Sequence, residues 1–146
     1  MAPKSFASQV RDAMERGKRQ MMEILQDSAF DVIERAQTPQ PGVEATGGSY
    51  EEGKIPVVSS NLIRSLATEL NGSGFGSPDE ASYAAVIPQM TSPGVIRFAW
   101  TAPYAMGLEV GYTTTTGLEV GGRLWVTKAA EDWKAIVEAN VKRIAK

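Results

Sequence analysis

The nearest this chain comes to acid–base chemistry is two pairs of adjacent carboxylates in its loops and turns, Glu51-Glu52 and Asp79-Glu80. Two carboxyl groups can divide the roles of general acid and general base when their surroundings pull their affinities for protons apart. Neither pair offers such surroundings. Glu51 and Glu52 fall in a polar loop with no partner base, and Asp79-Glu80 follows Ser77-Pro78 as a turn or a helix cap. Both read as solvated charge. The 146 residues include no His and no Cys. That excludes imidazole bases, Ser-His-Asp and His-Glu-x-x-His chemistry, thiolate nucleophiles, disulfides and zinc-cysteine sites. An enzyme would have to rely on carboxylates, Lys, Tyr, Ser or a carboxylate-held metal. Nothing in the chain assembles such a constellation, so no catalytic residue, cofactor or metal is expected.

A glycine-rich stretch, "PYAMGLEVGYTTTTGLEVGGRLWV" (103–126), carries the pentapeptide Gly-Leu-Glu-Val-Gly twice, starting at Gly107 and at Gly117. Its glycines fit neither a dinucleotide fingerprint nor a P-loop, and no Gly-Lys-Ser/Thr follows them. The two copies read differently. Pro103 suits the first turn of a helix, Tyr104 and Leu108 then share a face, and Gly111 ends that helix. The second copy follows four threonines, Thr113 to Thr116, and its Leu118 and Val120 alternate as in an extended arm. The repeat is therefore an echo in sequence and not in structure. Glu109 is expected to meet a neighbouring subunit or the backbone amides of the following loop, and Glu119 to be solvated.

The elements that would position these residues follow from periodicity. Residues 5–36 predict one long helix, with Phe6, Val10, Ala13, Met14, Met21, Ile24, Leu25, Val32 and Ile33 along one face. Gly17 and Ser28 on that stripe predict a bend or a close neighbour. Its basic residues Arg11, Arg16, Lys18 and Arg19 are interleaved with Asp12, Glu15 and Glu23, a solvated face. Pro39 and Pro41 end it. Residues 37–58 predict a long loop, mobile until a partner orders it. Residues 59–71 predict a second helix, capped by Ser59 or Ser60 with Leu62, Ile63, Leu66 and Leu70 buried, ending at Asn71-Gly72. Residues 82–101 predict two strands joined through Thr91-Ser92-Pro93-Gly94, with Ile96, Phe98 and Trp100 inward and Pro88 at an edge or bulge. A loop over 111–122 leads to a C-terminal helix over 125–145. Trp100, Trp125 and Trp133 all fall on apolar stripes. The class is α+β, in a single domain spanning 1–146.

At 42% hydrophobic and 22% charged, the composition is that of an ordinary globular domain. A formal charge of −2, from 15 Lys and Arg against 17 Asp and Glu, argues against a dedicated nucleic-acid binder. No run approaches the ~18 apolar residues of a membrane span, and the N-terminus lacks a signal-peptide apolar block. Synthesis in the cytoplasm is expected, with no membrane partner.

Two stretches carry a family likeness. "IPVVSSNLIRSLATEL" (55–70) resembles a loop-to-helix motif Pro-Val-x-Thr-Gly-x-Leu-x-x-Ser, matched at Pro56, Val57, Leu62, Arg64 and Ser65. "PYAMGLEVGYT" (103–113) resembles Pro-Tyr-Ala-x-x-x-Glu-x-Gly-Thr, matched at Pro103, Tyr104, Ala105, Glu109 and Gly111. In this order, between a long N-terminal and a C-terminal helix, they resemble the tail-completion (minor tail component) family of tailed bacteriophages. The departures are Ser59-Ser60 for Thr-Gly, and Gly122-Arg123-Leu124-Trp125 for Pro-Phe-Leu before the last helix. The likeness implies a structural virion protein, not an enzyme. It would form a homo-oligomeric ring, six-fold as is usual for the family, at the head-tail neck. There it would join head-connector and tail-tube proteins while DNA passes through its lumen without specific binding. Pro56, Val57, Arg64, Tyr104, Glu109, Gly111 and Tyr112 are then the candidate subunit contacts. A head-closure protein of the same neck is the alternative, as is a small cytosolic ligand-binding domain with a glycine-rich lid.

Overall fold

The computed structural model describes residues 3–41, 51–57, 61–74 and 77–145. Helix α1 spans Phe6–Ala36, capped by Ser5, whose side chain accepts from the Ser8 amide. Gln37 ends it ahead of Pro39, as the prolines require. After it come strands β1 (Leu66–Leu70) and β2 (Ser73–Gly74), short helix α2 (Ser82–Val86), and strand β3 (Ile96–Trp100). Then follow helix α3 (Ala105–Val110), strands β4 (Gly111–Thr113) and β5 (Glu119–Gly121), and helices α4 (Trp125–Glu131) and α5 (Trp133–Ile144). One antiparallel sheet runs β2-β1-β3 and a second pairs β4 with β5. The protein is α+β.

The helix expected over 59–71 is not there. Ser59 and Ser60 lie outside the described residues. Ile63–Ser65 is a single 3-10 turn and Leu66–Leu70 is the central strand. The buried set is the expected one, because Leu66 and Leu70 sit on one face in either period, but Thr68 between them is buried too, which only a strand explains. The deciding signal was Asn71-Gly72. Both residues have positive φ, 53° and 84°, and they join Leu70 to Ser73 as a two-residue hairpin. Asn71 also fixes the start of β3: its amide donates to Val95 O and its Oδ1 accepts from the Val95 amide.

Residues 82–90 are likewise not a strand. Ser82, Val86, Ile87 and Met90 are the buried positions, a helical spacing, and the segment forms α2 followed by a 3-10 turn over Ile87–Gln89 that contains Pro88. A short apolar run is ambiguous between the two periods, and tertiary packing chose. Ser82 Oγ donates to Leu66 O and shares a hydrogen bond with Thr68 Oγ1. The true partner of β3 is β1, in the register Leu66↔Trp100 to Leu70↔Ile96. Within β3 the expected alternation holds: Ile96, Phe98 and Trp100 face the core while Arg97 and Ala99 are exposed.

The core gathers Ala29, Ile33, Ile55, Leu66 and Trp125 with Ile87 and Ala129, sealed by Trp100 edge-on to Trp125 at 5.9 Å. Gln37 acts as a hub at the end of α1. Its Nε2 donates to Ile63 O and Glu80 O, and its Oε1 accepts from Trp100 Nε1. The C-terminal segment is two helices, not one, broken at Asp132, which pairs with Arg35 of α1. Ser28 is where a neighbour comes close: Asn140 of α5 donates to Ser28 Oγ and to Asp31. Gly17, by contrast, faces open space. The stripe on α1 is also shorter than expected. From Phe6 to Met21 no residue is buried, and Phe6 and Met14 are 82% and 58% exposed.

Candidate functional site

The doubled pentapeptide folds into a junction between α3, the β4–β5 hairpin and the start of α4. The expectation for the first copy holds at its end, where Leu108 donates its amide to Tyr104 O and Gly111 ends the helix; the helix starts only at Ala105, after Pro103, and leaves Tyr104 exposed. Gly111 does so at φ +94°, and a Cβ there would lie 2.7 Å from Val120 O. The second copy is not a loose arm. Gly111 pairs with Gly121 and Thr113 with Glu119, so the last glycines of the two copies sit opposite one another. The threonines close the turn. Gly117, at φ +86°, donates to Thr114 O, the Thr114 amide donates to Leu118 O, and Thr114 Oγ1 accepts from the Leu118 amide. Identical pentapeptides thus end one helix and start one strand.

Glu109 is 8% exposed and accepts three hydrogen bonds from its own chain. The Val126 amide (3.1 Å), the Thr127 amide (2.8 Å) and Thr127 Oγ1 (2.7 Å) all donate to its carboxylate. The two amides are orphan donors of the first turn of α4. Leu124, the residue at the usual capping position, offers no side-chain oxygen and sits at φ +56°. Glu109 therefore replaces it as the N-cap, with its charge at the positive end of the helix. The reverse contacts complete the knot: the Arg123 amide donates to Leu108 O and the Leu124 amide to Glu109 O. Gly122 is needed because a Cβ would lie 2.3 Å from Glu109 O. The amides that the sequence assigned to Glu109 are real, but they belong to the helix beyond the loop. Of the two expectations for Glu109, a neighbouring subunit or backbone amides, the single chain shows the amides, with Glu109 as a cap inside the fold.

Around this knot the surface is apolar. On one side of α3 a cleft of about 360 Å³ is lined by Pro103, Tyr104, Gly107, Leu108 and Tyr112. On the other, a cleft of about 310 Å³ lies among Trp100, Pro103, Met106, Trp125 and Val126, with Glu109 in its wall. Met106, Val110 and Leu118 stand exposed beside them. The structure thus brings Tyr104, Gly111 and Tyr112 together, with Glu109 beneath. It does not bring the other candidates there as one set. Pro56 and exposed Val57 follow Ile55, a fully buried residue whose amide donates to Thr38 O. Arg64 sits exposed on the 3-10 turn before β1. The loop around Ile55 is anchored, since Gln40 donates to Ile55 O and Gly53 to Arg123 O. Residues 42–50 and 58, the rest of the loop expected to be mobile, lie outside the described residues.

The carboxylate pairs behave as ordinary surface charge. Glu51 pairs with Lys54, and Asp79 holds the Ala81 amide at the entry to α2. Sequence reasoning missed Met106 and Val110, whose four-residue spacing on the face of α3 away from Tyr104 was the available signal. Among the described residues no group of three or more acidic side chains could hold a metal ion, and no helix is long and apolar enough to cross a membrane. The arrangement as a whole offers exposed apolar side chains beside a capped helix start. Compared with family models, curated proteins and solved structures, the chain finds no match.

Proposed function

We propose that this chain is a structural subunit of a phage neck, assembling into a ring that completes the tail and joins it to the head connector. The sequence likeness at 55–70 and 103–113 supplies the family. The single observation in its support from the fold is the amount of apolar side chain left uncovered: Phe6, Met14 and Met21 on α1, and Tyr104, Met106, Val110 and Tyr112 around α3. A monomer has no use for two such surfaces, and contiguous exposed apolar patches mark sites of association. Contacts between unlike surfaces of identical copies close into a ring when the rotation allows it. The glycine-rich segment is a paired hairpin, which weakens the alternative of a lid over a small ligand. Head closure remains the alternative position within the same neck.

Negative-stain microscopy of the purified chain, with labelling of the chain in tailed particles, tests the reading. Rings, and label at the head-tail junction, are expected. Small monomeric particles together with no label at the neck would sink it.

A further inference from the structure

An apolar groove runs along the outer strand of the main sheet. In the order β2-β1-β3, strand β3 has a free edge, and its inward row of Ile96, Phe98 and Trp100 is only half-buried. Three hollows follow that row. The first, about 320 Å³, lies between Val32 and Trp133 over Ile96 and Phe98. The second, about 200 Å³, shares Val32 and Phe98 with it and reaches Trp100 and Val126. The third, about 310 Å³, shares Trp100 and Val126 with the second and ends at Met106. Because each hollow shares two residues with the next, they form one groove with aromatic anchors along its floor.

The first half of α1 is the matching element. Phe6, Val10 and Met14 recur every four residues and are all exposed, on a helical segment with no buried residue among those described. An isolated helix of this length is marginal in water, and an apolar stripe on it calls for a partner. It cannot reach its own groove as a continuous helix, because the second half of α1 is already one wall of that groove through Leu25, Ala29 and Val32.

Charge decides which partner. Up to Met21 the chain carries Lys4, Arg11, Arg16, Lys18 and Arg19 against Asp12 and Glu15, a formal +3. With 15 basic and 17 acidic residues in all, the remainder holds ten basic and fifteen acidic, a formal −5. Two α1 segments laid together would set like charges side by side, whereas one segment laid on another copy's body joins opposite ones.

We propose that the N-terminal half of α1 of one copy docks into the β3 groove of the next, with Phe6, Val10 and Met14 on its floor. This rests on the ring reading above and names the contact that would propagate it. The contact is head-to-tail, so every copy offers one helix and one groove.

The test uses the full chain and substitutions at exposed positions, with circular dichroism to verify folding. Phe6→Glu and Met14→Glu spoil the helix, and Val95→Glu and Ala130→Glu spoil the groove. In sedimentation velocity each variant should weaken assembly about thirtyfold or more, as loss of an interface anchor does. A helix variant mixed with a groove variant should recover a one-to-one dimer that cannot extend, since one intact helix and one intact groove remain. The chain has no cysteine, so oxidation of Met14→Cys mixed with Val95→Cys should give the mixed disulfide in preference to the Met14→Cys homodimer. Wild-type assembly left unchanged by the variants on both sides overturns the docking and leaves the ring reading standing. Preferential Met14→Cys homodimers, or a wild-type chain that stays monomeric, overturn the docking as well. In those cases the ring reading is judged by microscopy at the neck alone.

Discussion

At the scale of single residues, Glu109 shows how a side chain can look like an interface group and be a keystone of the fold. Its three donors all lie in the first turn of α4, so Glu109→Ala leaves the Val126 and Thr127 amides without their acceptor. Loss of a cap costs about 1–2 kcal/mol, and partly buried orphan amides add to that. We expect Glu109→Ala to lower the melting temperature by about 4–8 °C, given about 2–4 °C per kcal/mol for a chain of this size. Glu119 in the second copy is exposed, so Glu119→Ala should shift it by less than about 2 °C. Calorimetry on both variants checks this, and equal shifts would overturn the cap. Tyr83 gives a second residue-level outcome. Burial, then the charges of Glu34 and Glu80, raise its phenol above the usual 10.0, while its ring stacks edge-on against Phe30. A raised folded value means the folded chain keeps a proton that the unfolded chain has released. The resulting stability is complete below pH 10 and is lost as pH rises through the folded value. Denaturant titrations from pH 9 to 11.5 should therefore show a steeper loss for the wild type than for Tyr83→Phe. Parallel curves would remove Tyr83 from the account.

Among the elements, the hairpin at 111–121 depends on two glycines for different reasons. Gly111 combines φ +94° with a backbone oxygen 2.7 Å from any added Cβ, whereas Gly117, at φ +86°, meets nothing. Gly117→Ala should cost about 1–2 kcal/mol of left-handed strain, and Gly111→Ala that plus the clash, at least about 1 kcal/mol more. Urea unfolding of the two variants decides it, and the reverse ranking would show that the hairpin is not held as described. Such features also mark what a sequence can reveal. Long periodic α1 was legible to within a residue at each end, because prolines and Ser5 set limits that no tertiary contact overrode. The inward row of β3 was legible from alternation. The segments 62–70 and 82–90 were not, since each is short, apolar and compatible with both periods. Leu66–Leu70 is even helix-prone in composition and became a strand only because β3 and the Asn71-Gly72 turn claimed it. The link from Glu109 to α4 joins residues 17 apart through a reversed hairpin, which no local pattern encodes. Tyr104 and Tyr112 became candidate contacts through the family likeness over 103–113, which no fold-level pattern supplies.

For the molecule as a whole, the uneven spread of charge sets how it meets other bodies. The first half of α1 is basic and the remainder acidic, so a DNA duplex would be attracted by one end and repelled by the rest. Two of the five basic groups on that end are already paired, Lys4 with Asp12 and Lys18 with Glu15. Only a handful of phosphate contacts is possible, and without base contacts they carry no sequence preference. Filter binding at physiological salt should thus give a Kd weaker than about 1 µM, indifferent to sequence and rising steeply as salt is raised. Nanomolar, sequence-selective binding would be incompatible with a subunit whose proposed lumen lets DNA pass. The docking of α1 adds a sharper expectation. If the basic helix is seated on the acidic body of the next copy, assembly and DNA compete for the same charges, and the assembled chain should bind DNA more weakly per subunit than the Met14→Glu monomer. Comparing the two at equal subunit concentration separates a helix that is covered on assembly from one that stays open to the lumen.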